Sequence, residues 1–109
     1  MKILLAVLAL VLTACSTGKP ETPTPEEAFR FGGISMPASG KVLETKYERG
    51  IDVMYKVVLT LPAEDVPQLL KASNFAPGVT EDDQLIDGRR VFRKVAVDGT
   101  TVRLSLFTT

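Results

Sequence analysis

The chain has 109 residues, with Lys plus Arg and Asp plus Glu both totalling 13. That length fits one domain at most, and the even charge balance argues against a nucleic-acid binder, which usually carries a clear basic excess. One cysteine excludes an internal disulfide, and the absence of histidine and tryptophan removes the commonest general base and metal ligand.

Residues 1–14 read MKILLAVLALVLTA. Lys2 supplies a positive start, Ile3 to Leu12 form an unbroken apolar run, and Thr13 and Ala14 are small. This is the layout of a secretory signal peptide, and the run is too short for a comfortable membrane-spanning helix. Removing Lys2 with the leader leaves 12 cations against 13 anions, about one net negative charge.

The string Leu12-Thr13-Ala14-Cys15 resembles the lipobox of bacterial lipoprotein precursors: an aliphatic residue, two small residues, then the cysteine. The resemblance covers the leader and Cys15. It implies diacylglyceryl transfer to the Cys15 sulfur, cleavage before Cys15 by the lipoprotein signal peptidase, and often acylation (palmitate, for example) of the new amino group. Each buried methylene adds roughly 0.8 kcal/mol, so two or three chains anchor stably where one would not. A secreted protein with an incidental cysteine and an uncleaved inner-membrane anchor are the other readings of the same residues. In lipoproteins of bacteria with two membranes, Asp after the cysteine usually favours inner-membrane retention. Here Ser16 stands there, which points to the periplasmic face of the outer membrane.

Residues 16–28 read STGKPETPTPEEA, with little to bury. Pro20, Pro23 and Pro25 favour an extended, solvated tether. At roughly 3 Å per residue it would hold the domain about 30 to 40 Å from the lipid. The expected organisation is a signal peptide over 1–14, a lipidated cysteine and linker over 15–28, and a small domain over 29–109.

From Phe29 the pattern turns apolar, with Phe29, Phe31, Ile34 and Met36 broken by Gly32-Gly33, and a turn at Pro37 to Gly40. Residues 41–47 and 51–61 alternate with period 2, a strand signal. A three-residue loop, Glu48-Arg49-Gly50, would pair Tyr47 with Ile51, Thr45 with Val53 and Leu43 with Tyr55, with Gly50 left-handed. Asp65 and Gln68 have the spacing of a capping box for a short helix. Val66, Leu69, Leu70 and Phe75 form its apolar stripe, and Asn74 is a reasonable stop. A loop over 76–88 is expected next. Then Asp98-Gly99 marks a hairpin that pairs Val97 with Thr100, Val95 with Val102, Val91 with Leu106 and Arg93 with Leu104. The predicted fold is α+β: a four-stranded, mostly antiparallel sheet, hairpin–helix–hairpin, with one short helix on one face.

No catalytic set is evident. Cys15 is committed to lipid, and Ser39 with Lys41 is a serine beside a lysine at a turn, without a motif. Glu81-Asp82-Asp83 with Asp87-Gly88 offers oxygen ligands but lacks the alternating spacing of a calcium loop; solvation, or pairing with Arg89 and Arg90, is the better reading. No catalytic residue, metal ligand or cofactor is therefore assigned. Arg89, Arg90, Arg93, Lys94 and Arg103 make the last hairpin basic; a solvated sheet face balanced by the acidic loop is the better reading, and contact with anionic lipid or glycan or an acidic protein the functional one.

The sheet face away from the helix would carry Met54, Val58, Phe92, Ala96 and Phe107 among Lys56, Lys94, Thr101, Arg103 and Ser105. Such a mixture suits a protein contact, unless Phe29 to Met36 folds back to cover it, which the need to bury that segment favours. The expectation is a non-enzymatic, lipid-anchored binding module of the bacterial cell envelope. Its partners would be the membrane, through Cys15, and an envelope protein. The rivals are an immunity or inhibitor lipoprotein that blocks a toxin or cell-wall enzyme, and a structural or assembly accessory of the envelope. The domain is also similar in outline to small lipoproteins of bacterial genomes, in Pro37, Gly50-Ile51-Asp52 and Leu61-Pro62; no activity follows from that likeness.

Overall fold

The computed structural model describes residues 23–108. The expected signal peptide, the lipobox-like string, Cys15, Ser16 and residues 17–22 of the expected tether lie outside the described residues.

Two helices and a five-stranded sheet make an α+β domain. α1 spans Pro25–Gly32, β1 Lys41–Arg49 and β2 Val53–Thr60. A 3₁₀ turn at Ala63–Asp65 leads into α2, Val66–Ala72. β3 spans Glu81–Ile86, β4 Arg89–Asp98 and β5 Thr101–Phe107. The strand order is β1-β2-β5-β4-β3, and every neighbouring pair is antiparallel. The fourth expected strand is thus joined by a fifth, β3, where a loop was expected. Its alternation hides in acidic residues: Asp82, Gln84 and Ile86 are half-buried while Glu81, Asp83 and Leu85 are exposed. The turn that makes it a hairpin is Asp87-Gly88, with φ of 52° and 81°, the two left-handed residues of a type I′ turn.

α1 begins inside the stretch read as tether. Thr24 is its N-cap, its Oγ1 accepting from the Glu27 N–H at 3.1 Å, and Pro25 occupies the first turn, where a missing N–H costs nothing. Ala28, fully buried, already belongs to the core. At the far end Gly33 takes φ +65°, and the N–H groups of Ile34 and Gly33 return to the carbonyls of Phe29 and Arg30. α2 closes the same way: Asn74 sits at φ +65°, and Phe75 and Asn74 donate to Leu70 and Lys71. Both are Schellman closures, so Asn74 does stop the helix as expected. The Asp65 capping box does not form. Asp65 makes no side-chain cap; its Oδ2 instead accepts from the Ser39 hydroxyl at 2.6 Å.

Two registers differ from expectation, β1–β2 by four residues and β4–β5 by two, which preserves faces but moves partners. In β1–β2, Arg49 pairs with Val53, Tyr47 with Tyr55 and Thr45 with Val57, so the connection is Gly50-Ile51-Asp52. Gly50 is not left-handed; its N–H donates to the Asp52 carbonyl at 2.9 Å. This register leaves Ile51 wholly exposed and sets the Tyr47 ring 4.9 Å from that of Tyr55, tilted by 49°. A bulge at Leu43 lets Val42 rather than Leu43 lie opposite Leu59. In β4–β5, Val97 pairs with Val102, Val95 with Leu104 and Arg93 with Leu106. The loop is therefore Gly99-Thr100, with positive φ only at Gly99, the type II′ pattern.

One sheet face is buried. Tyr55, Val57 and Leu59 of β2, Val91 and Val95 of β4, and Val102, Leu104 and Leu106 of β5 meet Ala28, Phe31, Ile34, Leu69 and Phe75 in a single core. Phe31 lies 4.9 Å from the Tyr55 ring, and Gly32 lets α1 sit against Leu106, whose Cδ2 would be 2.7 Å from any Cβ placed there. The segment expected to fold across the second face packs instead on this one, beside α2. Ser35 N–H donating to the buried Ser73 Oγ at 2.9 Å joins the two.

Candidate binding face

The alternation of β1, β2, β4 and β5 sends one set of residues to the core and the other to a face that neither helix touches. Three rows cross that face, read from the strand registers. The first runs Glu48, Met54, Phe107, Phe92, Asp83. The second runs Lys46, Lys56, Ser105, Lys94, Glu81. The third runs Glu44, Val58, Arg103, Ala96. An apolar row therefore lies directly beside a row with three lysines, and Thr101 follows at the next level. The structure brings together every residue expected there, Met54, Val58, Phe92, Arg103 and Phe107 included. Lys46 and its row on β1 were missed, because β1 was registered four residues away.

Local contacts set the chemistry of each row. Phe92 and Phe107 stack with centroids 5.6 Å apart and planes 17° from parallel, and a shallow groove of about 200 Å³ beside them is also lined by Glu81, Asp82, Arg93 and Lys94. Lys94 reaches Glu81 at 3.6 Å and Lys46 reaches Glu44 at 3.5 Å, all well exposed. Exposed pairs of that kind hold their charges loosely. Among the described residues Lys56 and Arg103, at the centre, make no ion pair. Lys56 lies opposite Lys46, a cross-strand like-charge pair that works against the sheet. The centre of the face is thus cationic, flanked by aromatic surface, with carboxylates at its rim.

The other candidates resolve into structural roles. The acidic run is an edge strand whose three acids each take a cation from β4: Glu81 takes Lys94, Asp82 takes Arg93, and Asp83 takes Arg90 at 3.1 Å. No cluster of three potential metal ligands occurs among the described residues. Arg93, expected on a basic surface, is 2% exposed. Its Nε and Nη2 donate to Asp82 at 2.8 and 2.9 Å, and its Nη1 donates to the carbonyls of Gly32 and Gly33 at 3.0 and 3.2 Å. Its guanidinium lies 4.0 Å from the Phe75 ring centroid. One side chain thereby holds β3, the end of α1 and the segment after α2. The Arg93 hydrogen bonds depress the Asp82 pKa, with help from Gln84, and burial only partly opposes them. Arg89 lies 4.9 Å over Phe31. The Ser39 hydroxyl is engaged by Asp65, not by Lys41.

Tyr55 is the other perturbed group. Its hydroxyl donates to Glu27 Oε2 at 2.7 Å, and burial first, then that hydrogen bond, push its pKa well above the usual tyrosine range. It therefore stays a neutral donor that ties β2 to α1.

A second concavity, about 660 Å³, follows α2 and the loop after it, between Val66, Pro67, Leu70 and Lys71 on one side and Phe75 to Gly78 on the other. Val66 and Leu70, expected in the buried stripe, are only half-buried. Ala76-Pro77-Gly78 has too little side chain to cover them, and that string was the available signal.

No helix among the described residues is long and apolar enough to cross a membrane. No family model matches the chain, and neither curated proteins nor solved structures supply a match.

Proposed function

We propose that this chain is a lipid-anchored, non-enzymatic binding module of the bacterial cell envelope, with lipid on Cys15 and the open sheet face as its binding surface. The observation that carries the binding reading is the pair of rows on that face, Met54-Phe107-Phe92 beside Lys46-Lys56-Ser105-Lys94. Aromatic and aliphatic surface supplies the buried centre of an interface, and the cations beside it select the sign of the partner. The partner that fits is a protein of the envelope with an apolar ridge edged by carboxylates. The anchoring reading rests on Leu12-Thr13-Ala14-Cys15, and Ser16 favours the periplasmic side of an outer membrane.

The test is crosslinking capture with mass spectrometry on the tagged chain in its native envelope. Cys15→Ala and Phe92→Asp/Phe107→Asp forms are run beside it. One partner retained by Cys15→Ala and lost by the double aspartate form is the expected result. Capture of abundant envelope proteins alone, equally by all three forms, would sink the binding reading. An unmodified Cys15 in the mature protein's N-terminal peptide would sink the anchoring one.

A further inference from the structure

β1 is an outer strand of the sheet, nine residues long, and its outer backbone groups have no strand partner among the described residues. Such an edge is a template for another strand unless it is blunted. The charges and the bulge at Leu43 blunt it in part. Yet Leu43 is 58% and Tyr47 38% exposed, and the buried Thr45 Oγ1 between them has no hydrogen-bond partner.

A two-fold antiparallel pairing of a strand with itself sets one residue opposite its own copy and keeps both sheet faces continuous. The sequence Leu43-Glu44-Thr45-Lys46-Tyr47 is self-complementary about its middle residue. Centred on Thr45, Glu44 faces Lys46 of the second copy, Leu43 faces Tyr47 of the second copy, and the two Thr45 side chains meet. Centring on Glu44 or on Lys46 sets like charges on the axis. Centring on Tyr47 uses only the C-terminal part of the strand and leaves Glu44 without an opposite charge. In the Thr45 register the like charges Lys41 and Arg49 meet only at the solvated strand ends. The register also relieves two local misfits. Lys46, opposed by Lys56 within the molecule, gains a carboxylate on its other side, and the Thr45 hydroxyl gains a hydroxyl across the axis.

We propose that β1 pairs antiparallel with β1 of a second copy of this chain, centred on Thr45, so that one sheet runs through both molecules. The open faces of the two copies then form one surface, with the Lys46 row of each copy ending beside Glu44 of the other. The pairing does not depend on what the open face binds.

Cys15 is the only cysteine, so the full chain carrying Cys15→Ser, purified in detergent, is a clean background. Opposed Cα atoms in an antiparallel pair are about 4.5 to 5.5 Å apart, within disulfide reach. Thr45→Cys should therefore run mostly as a dimer on a non-reducing gel, and Tyr47→Cys as a monomer. Glu44→Lys or Lys46→Glu alone should weaken self-association in sedimentation roughly tenfold, since each acts twice across the axis. The combined Glu44→Lys/Lys46→Glu form should restore it. A monomeric chain, a crosslink at Tyr47 in place of Thr45, or a dimer indifferent to both charge changes would overturn the proposal. A monomer that still loses its envelope partner through Phe92→Asp/Phe107→Asp would leave the binding reading standing.

Discussion

β2, β4 and β5 each divide their residues between a face packed by two helices and a face left to solvent. On the packed side, Val57, Leu59, Val91, Val102 and Leu106 have no measurable exposure; on the other, Lys56, Lys94 and Arg103 are exposed and Met54, Val58, Phe92 and Phe107 half-buried. The same backbone ladder supports both, so the difference lies in side chains alone. Stability should therefore concentrate on one face and recognition on the other. The sharpest probe is Leu106, which sits under Gly32 of α1. Leu106→Ala should cost about 4 kcal/mol, the removed methyls plus the cavity they leave. In a domain this small that approaches total stability, so urea unfolding should show a collapsed or absent transition.

The packed face also holds a charge, and Asp82 tests whether it belongs there. Asp82→Ala should cost about 3 kcal/mol, because it leaves Arg93 buried against two carbonyls without its counter-ion. Replacing both partners, as Asp82→Leu/Arg93→Met, should cost less than Asp82→Ala alone. The pair also predicts a pH dependence. The folded-state pKa of Asp82 is depressed, so its contribution is present above the ordinary aspartate pKa. It is lost as pH falls through the depressed folded value, with Arg93 still charged. Asp82→Asn should therefore be less stable than the native chain at neutral pH, and the gap in urea midpoint should close as pH falls through that depressed value.

Arg93 also marks where sequence reading stops. Alternation alone located β1, β2, β4, β5 and the composition of the open face, because period 2 is local information. It put Arg93 on the correct face, opposite a leucine, but could not tell that Asp82 lay across from it, since β3 looked like an acidic loop. The string Leu12-Thr13-Ala14-Cys15 and the apolar run before it stand outside the described residues, whereas α1 was hidden by Pro23, Pro25 and the glutamates. Its Thr24-Pro25-Glu26-Glu27 start has the spacing of a capping box and was the clue available. The registers failed by four residues in the first hairpin and by two in the last, because turn chemistry, not the pattern of faces, decides between registers of the same parity.

Smaller effects test how closely α1 is fitted to the sheet. Gly32→Ala would push a Cβ to within 3 Å of Leu106 and should cost about 2 kcal/mol by overpacking, visible as a lower urea midpoint. Tyr55→Phe removes the donor to Glu27 while keeping the ring between Phe31 and Tyr47. It should cost about 1 kcal/mol, the net worth of such a hydrogen bond. An unchanged midpoint would mean that α1 is held without the Glu27 contact, by Phe31, Ala28 and the Arg93 bonds to its end.

The smallest effect carries the opposite sign and bears most on function. Lys56 faces Lys46 across the strands and lies one strand further from Lys94, with Ser105 between. No ion pair offsets it among the described residues. A cross-strand like-charge pair destabilises by a few tenths of a kcal/mol, and an opposite pair stabilises by as much. Lys56→Glu should therefore raise the urea midpoint by about 0.5 kcal/mol of stability at low ionic strength, and the gain should shrink as salt screens it. The same change should abolish capture of an acidic partner. A residue that costs the sheet stability and is needed for capture would separate recognition from folding at a single position. A midpoint that falls instead would mean that Lys56 belongs to the support of the sheet, and the division of labour between the faces would fail there first.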